Sequence, residues 1–335
     1  MEFLQSYIVE IWYIIIGFFL LYYVLADGAD LGVGILSLFS TSAQERGILL
    51  GSLQHVWQDN QTWLIVLAGM LFGAFPIFYS LILSSLYVPI MIMLLGLILR
   101  GVSFEFRIFS DRKRVWGLAL GVGSAIAAAA QGFAAGSIFG GLATEHCRFA
   151  GDIWDWLNPF SALVAFGLLC AYTTLGANYL ILKTEGNIQK KNYRHAATAS
   201  VLTFAVGAVI ELWIMVRYPS IANKWTVYPY SLMMMLFQGL TFFSIFMYYR
   251  SLLRKRELAP LLWSFSVYTF AFVGLSTGYY PYIIPDVITI RNAAASSPET
   301  LLFMLVVTAV AVPVILIYTG YKHWVFRGKS GQYEI

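Results

Sequence analysis

Ionisable side chains interrupt the apolar segments of this sequence at only a few places. Asp27 and Asp30 lie near the end of the first apolar segment, and Arg100 and Glu105 follow the third. A charged side chain inside a membrane segment costs about 2.5 to 3.5 kcal/mol on insertion scales, so each one requires a partner or a function. Carboxylates beside an arginine are groups that hold protons or cations, and we expect these four residues, with Asp59 at the head of the second apolar segment, to form one cluster.

The spacing of Asp27 and Asp30 places both carboxylates on one helix face, because residues three apart are neighbours on a helix surface. Three interpretations follow from this spacing. The acids form a buried ion pair with Arg100 that joins two segments, or one of them keeps a proton at neutral pH, or together they bind a cation. The sequence leaves all three open.

The stretch 55–63, HVWQDNQTW, places Asp59 between amide side chains at the head of the next apolar run. Gln58, Asn60 and the neighbouring Trp57 are part of this group. An acid in the first turn of a helix complements the helix dipole and caps free amides, so capping explains these residue types as well as proton transfer does. The tryptophans are equally suited to anchoring at the membrane interface.

Composition identifies the elements that must position these residues. The 335-residue chain is 59% hydrophobic and only 11% charged, which is typical of an integral membrane protein. A hydrocarbon core of roughly 30 Å needs about 20 apolar residues. The sequence predicts an all-α integral membrane protein with nine transmembrane helices, at approximately 8–38, 56–75, 77–99, 115–140, 158–182, 196–216, 229–249, 261–284 and 300–322.

The distribution of basic residues predicts an orientation. With the N-terminus outside and the C-terminus inside, 17 of the 21 Lys and Arg residues face the cytoplasm, and four remain outside: Arg148, Arg217, Lys224 and Arg291. Such an asymmetry follows the positive-inside rule. Because it accounts for the basic loops, no nucleic-acid partner is expected.

A short internal similarity predicts a repeat within a single transmembrane domain, 1–335. Gly28, Ala29 and Asp30 align with Gly176, Ala177 and Asn178. We expect pseudo-repeats at approximately 1–145 and 150–290, which form two four-helix bundles, plus a peripheral ninth helix. The small residues of the segment 28–34 favour close helix packing.

The histidines and cysteines argue against a redox centre in this chain. A haem held by two histidines needs partners at similar depth, whereas all four histidines fall at span ends or in loops: His55, His146, His195 and His323. Cys147 and Cys170 are too differently placed for a disulfide or a two-cysteine metal site. We therefore expect no cofactor or metal bound by this chain.

Five strings together resemble subunit II of the cytochrome bd quinol oxidases, most closely the cyanide-insensitive branch. They are ADGADLGVG (26–34), WQDNQTWLIV (57–66), FGAFPIFYS (72–80), LRGVSFEFR (99–107) and YYPYIIPDVITIRNAAASSPETL (279–301). The resemblance covers all nine segments in order.

The resemblance implies a haem-free subunit that pairs with a haem-bearing subunit I in the bacterial cytoplasmic membrane. Subunit I of such oxidases carries two b haems and one d haem, oxidises quinol and reduces oxygen to water with protons from the cytoplasm. A small accessory subunit, and a quinone or lipid bound in the membrane, are compatible with the resemblance.

It also implies a proton path at the boundary with subunit I, whose residues here are Asp27, Asp30, Trp57, Gln58, Asp59, Asn60, Arg100 and Glu105. The family usually has Trp-Asp-Gly-Asn-Glu where this chain has Trp-Gln-Asp-Asn-Gln at 57–61. The first acid of this chain, Asp59, therefore lies one residue later than the first acid of the family. Two alternatives are a proton-coupled secondary transporter, suggested by the repeat and the inner acids, and a purely structural subunit.

Overall fold

The structure is a computed structural model that describes residues 2–145 and 148–330, so His146 and Cys147 lie outside the described residues. Helices form nearly all of this part of the chain. They are α1 (Glu2–Ser37), α2 (Ala43–Gly51), α3 (Trp57–Ala74), α4 (Pro76–Ser85), α5 (Tyr87–Phe109), α6 (Lys113–Gly140), α7 (Pro159–Lys183), α8 (Gly186–Arg217), α9 (Pro219–Asn223), α10 (Tyr230–Leu253), α11 (Ala259–Tyr279), α12 (Ile290–Ala293) and α13 (Pro298–Val325).

Within the described residues, eight helices are long and apolar enough to cross a membrane: α1, α5, α6, α7, α8, α10, α11 and α13. A ninth span is reached only if α3 and α4 count as one bent element, since they meet at 120°. The predicted all-helical membrane architecture is therefore present, with eight or nine spans.

The third predicted segment, 77–99, differs from the structure. A short α4 occupies its first part, and the long helix α5 begins at Tyr87 and continues to Phe109. Pro76 explains the bend, because a proline has no amide hydrogen to donate and starts a new helix at its first position. Continuous hydropathy across this proline concealed the change of direction.

The eighth predicted segment, 261–284, is also shorter in the structure, since α11 ends at Tyr279. The chain then forms an antiparallel pair of short strands, β3 (Tyr282–Ile284) and β4 (Ile288–Thr289). A second small pair, β1 (Thr144–Glu145) and β2 (Arg148–Phe149), follows α6.

The centre of the bundle is the crossing of α1 and α7. A Cβ atom on Gly32 would lie 1.7 Å from the backbone oxygen of Tyr172, and one on Gly176 would lie 2.3 Å from the carbonyl carbon of Gly32. Only glycine permits this distance, as the small residues of the segment suggested. Around this crossing, α1 also packs against α3 and α6, and α13 contacts α1 and α3.

Candidate functional site

Three helices bring the polar residues of the first half of the chain together. α1 supplies Asp27 and Asp30, and α3 packs against it and supplies Asn60. α5 supplies Arg100, whose backbone is held against α6 where Gly96 and Gly123 meet. A Cβ on Gly123 would lie 2.7 Å from the Gly96 oxygen and 2.9 Å from the Arg100 nitrogen. These close crossings leave no room for lipid between the helices.

Asp27 and Arg100 form a buried ion pair. Arg100 Nη2 lies 2.7 Å from Asp27 Oδ1, and both side chains are completely inaccessible to solvent. Arg100 Nη2 also donates to Gln61 Oε1 at 3.4 Å. The pair links α1 to α5, as the ion-pair interpretation of the sequence expected.

Asp30 lies on the same side of α1 and has a different partner. Its Oδ2 accepts a hydrogen bond of 2.9 Å from Asn60 Nδ2, and both residues are buried. Asn60 is thus the member of the 55–63 stretch that reaches the acids of α1. We refer to Asp27, Asp30, Asn60 and Arg100 as the acid cluster.

Neutral side chains extend the acid cluster towards α7. Tyr172 donates to Gln131 Oε1, and Gln131 Nε2 donates to Tyr23 Oη, both at 2.7 Å. Tyr23 lies within electrostatic range of Asp27. Sequence reasoning missed these three residues because an isolated tyrosine or glutamine in an apolar segment does not stand out by charge. Gln131, an amide within the apolar helix α6, was the one residue whose type could have indicated this hydrogen-bonded group.

Asp59 and Glu105 lie outside the acid cluster, contrary to the expectation that all the inner acids form one group. Asp59 Oδ2 lies 2.5 Å from Lys322 Nζ on α13, with both side chains about one-fifth exposed. This contact was unforeseen because Lys322 belongs to the ninth segment. Glu105 is exposed. Asp59 lies in the first turn of α3, where its charge complements the helix dipole, and the N-cap residue Val56 makes no side-chain cap hydrogen bond.

The remaining residues of the stretch have structural contacts. Trp57 is buried and stacks on Phe104 of α5, with ring centroids 5.0 Å apart. Gln58 is exposed, and its backbone oxygen accepts a hydrogen bond from Thr62. Of the eight residues predicted for the path, the structure therefore joins four in the acid cluster and leaves three nearer the surface. Trp57 packs against α5, where its ring would lie 3.5 Å from a Cβ on Gly101.

Several buried polar atoms of the acid cluster have no hydrogen-bond partner among the described residues. They include Arg100 Nε and Nη1 and Asn60 Oδ1. The cluster also holds two carboxyl groups but only one cation, so it is charge-balanced only when one carboxyl group carries a proton. Unpaired buried polar atoms at a site of this kind commonly bind internal water.

In the second half of the chain, the residue that the predicted repeat aligns with Asp30 is the uncharged Asn178. Asn178 Oδ1 accepts a hydrogen bond from Tyr248 at 3.3 Å, and both residues are buried.

Within the described residues, no group of three or more His, Cys, Asp or Glu side chains is arranged to hold a metal ion. His55 stacks on Phe326 instead, with ring centroids 4.4 Å apart.

Comparison with known proteins identifies the family. The family profile for cytochrome bd terminal oxidase subunit II matches residues 8–326. The chain is 28% identical to cytochrome bd-I ubiquinol oxidase subunit 2 of Escherichia coli K12, over 97% of this chain and 96% of that protein. It is 31% identical to cytochrome bd ubiquinol oxidase subunit 2 of Bacillus subtilis 168 over 54% of this chain and 55% of that one.

A solved structure of bd oxidase from Geobacillus thermodenitrificans has the same fold. The TM-score is 0.79 at 19% sequence identity, and the alignment covers 95% of this chain and 99% of that one. The full-length family match and the shared membrane architecture agree with the residues that carried the resemblance. The chain belongs to the cytochrome bd terminal oxidase subunit II family.

Proposed function

We propose that this chain is the haem-free subunit of a bacterial bd-type oxidase that transfers electrons from quinol to oxygen, and that its acid cluster relays protons to a haem-bearing partner subunit. The names of its relatives, which describe subunit 2 of ubiquinol oxidases, support the first part. The observation that carries the second part is a buried pair of carboxyl groups with a single arginine. Under the positive-inside orientation, protons enter from the cytoplasm.

The charge balance explains why such a cluster would exchange protons. Asp27 is neutralised by Arg100 at 2.7 Å. Asp30 has only the amide of Asn60 as a direct partner. A second buried carboxylate without a cation costs several kcal/mol, so the cluster holds one proton with Asp30 its natural carrier. When a proton arrives or leaves, the shared arginine keeps the remaining charge compensated.

A relay also requires a continuous series of donors and acceptors. Gln61 is half-buried and contacts Arg100, and Tyr23, Gln131 and Tyr172 continue the series from Asp27 into the bundle. Lipid-facing helices offer no such groups. Water bound to the unpaired atoms of Arg100 and Asn60 would complete it.

The test is Asp30→Asn in the intact complex. This change keeps the shape and the contact with Asn60 but removes the exchangeable proton. We expect quinol oxidase turnover to fall about tenfold or more, as for loss of a proton-transfer group, while the haem spectra and the amount of assembled complex stay unchanged. The pH dependence of turnover should flatten as well.

A matched control separates this effect from the general loss of a membrane carboxylate. Glu211 of α8 is a carboxyl group inside another span, and within the described residues its side chain accepts one hydrogen bond, from Gln238 Nε2 at 3.4 Å. Glu211→Gln should leave turnover unchanged. If Asp30→Asn behaves in the same way, the acid cluster is structural, as a purely structural subunit would require.

The location of the haems can be tested separately. We expect the b and d haems to be bound by the partner subunit, so the purified complex should lose no haem when the histidines of this chain are replaced. A transporter would purify without colour and without a haem-rich partner. The family match disfavours that alternative.

A further inference from the structure

Two arginines converge where α2 meets the C-terminal end of α5, and neither belongs to the acid cluster. Arg46 lies in the first half of α2, and Arg107 lies in the last turn of α5. The Arg107 Nη2 atom lies 3.4 Å from where a Cβ on Gly47 would be, so its guanidinium covers α2 directly beside Arg46. The two like charges are within electrostatic range of each other.

Glycines make room for both side chains. A Cβ on Gly117 of α6 would lie 2.7 Å from Cδ of Arg46, so the arginine stem passes over a bare stretch of the α6 backbone. Arg46 is only 8% exposed, and its Nε donates to the backbone oxygen of Ser37 at 3.1 Å. That bond holds the Arg46 guanidinium in a fixed position.

Neither arginine has a carboxylate partner in the described part of the chain. The ion pairs found there involve other cations. Glu45, the neighbour of Arg46 in sequence, points instead to Lys191, with Nζ 2.8 Å from Oε1. The Arg107 Nε is buried and has no hydrogen-bond partner. Two adjacent cations with an unpaired, buried donor form a favourable site for an anion.

The surroundings indicate what kind of anion. Phe106 and Phe109 lie within two residues of Arg107 on α5, Val115 lies two residues before Gly117 on α6, and all three are exposed apolar residues. Hydrocarbon chains would cover these residues, whereas the guanidinium groups lie at the end of the membrane-spanning helices. The pair therefore lies where the phosphate of a membrane lipid lies, with an apolar surface directed along its acyl chains.

From this arrangement we propose that Arg46 and Arg107 form a binding site for the phosphate group of an anionic phospholipid in the leaflet at the basic end of the bundle. Two guanidinium groups match a phosphodiester because each offers parallel N–H donors to its oxygens. The site is independent of the acid cluster, and under the positive-inside orientation it belongs to the cytoplasmic leaflet.

The experiment uses the intact complex with its partner subunit, delipidated in detergent and titrated with phosphatidylglycerol or phosphatidylcholine while bound lipid is counted by native mass spectrometry. The variant is R46Q/R107Q. The matched control, R112Q/R114Q, removes two exposed charges from the same end of the bundle. We expect the control to retain phosphatidylglycerol and the variant to bind it about tenfold or more weakly, since the variant removes the charge-assisted hydrogen bonds to the phosphate.

Three results would overturn the proposal. The first is equal phosphatidylglycerol binding by the variant and the control. The second is equal occupancy by inorganic phosphate, which identifies a site for free anions instead of lipid. The third is a density map of the complex in which an acidic side chain of the partner subunit contacts both guanidinium groups. If R46Q/R107Q does not assemble, R107Q alone replaces it in the titration. Arg107 is half-exposed, so its replacement should leave assembly intact and still weaken phosphatidylglycerol binding.

Discussion

Arg100→Met alone should destabilise the complex more than the double variant in which Arg100→Met is combined with Asp27→Leu. At the observed 2.7 Å separation, an effective dielectric constant of about 20 gives an attraction of about 6 kcal/mol. Most of this offsets the removal of two ions from water, which costs several kcal/mol each. The net contribution of the pair is therefore small, and the expected asymmetry comes from what each variant leaves behind.

Arg100→Met leaves Asp27 and Asp30 buried with no cation, and we expect a loss of about 3 to 5 kcal/mol. Combining it with Asp27→Leu removes the uncompensated charge, because Asp30 then keeps its proton. The combined variant should lose less than about 2 kcal/mol. Methionine approximately retains the volume of arginine, and leucine retains the branched heavy-atom shape of aspartate, so packing contributes less to the difference than charge does.

The assay is thermal unfolding of the purified complex in one detergent at one scan rate. Haem absorbance serves as an independent measure of integrity. The expected order of midpoints is wild type, then the combined variant, then Arg100→Met. A combined variant with a lower midpoint than Arg100→Met would refute the charge-compensation reasoning, because it would mean that the two side chains stabilise the fold separately.

Two further predictions concern packing and the C-terminal segment. Gly176→Ala should reduce assembled complex sharply on gel filtration, since its Cβ would meet Gly32 at 2.3 Å, whereas Gly207→Ala has open space and should assemble normally. The pKa of Glu257 is lowered by its hydrogen bond to Lys329, at 2.7 Å, so this contact stabilises the segment at neutral pH and is lost as the pH falls through the lowered pKa. The hydrogen-exchange protection factors of residues 326–330, which are corrected for the intrinsic pH dependence of amide exchange, should fall at acid pH, and Glu257→Gln should abolish that fall.

The sequence allowed the spans and the central acids to be predicted for a simple physical reason. Hydropathy locates membrane helices well, because lipid imposes the same requirement on every span. Charge in an apolar segment is equally conspicuous, so Asp27, Asp30 and Arg100 were identifiable before their contacts were known. Their three-residue spacing correctly placed both acids on the side of α1 that faces its neighbours.

Contacts between distant segments could not be predicted in this way. Lys322 pairs with Asp59 only because α13 packs against α3, and nothing local to either residue indicates that packing. The turn at Pro76 was missed for a related reason, since a proline within an apolar run is compatible with a kinked span. Gln131 bridges two tyrosines, a role that depends on three separate helices.

The shortness of α3 has a consequence for how the protein is made. Its 18 residues span about 27 Å, less than the roughly 30 Å of hydrocarbon, and its first turn carries Asp59 and amides. A nascent segment of this kind partitions weakly from the translocon into lipid by itself. We expect the preceding α1 to assist its entry, because Asp30 of α1 accepts the hydrogen bond of Asn60 and so removes the cost of burying that amide.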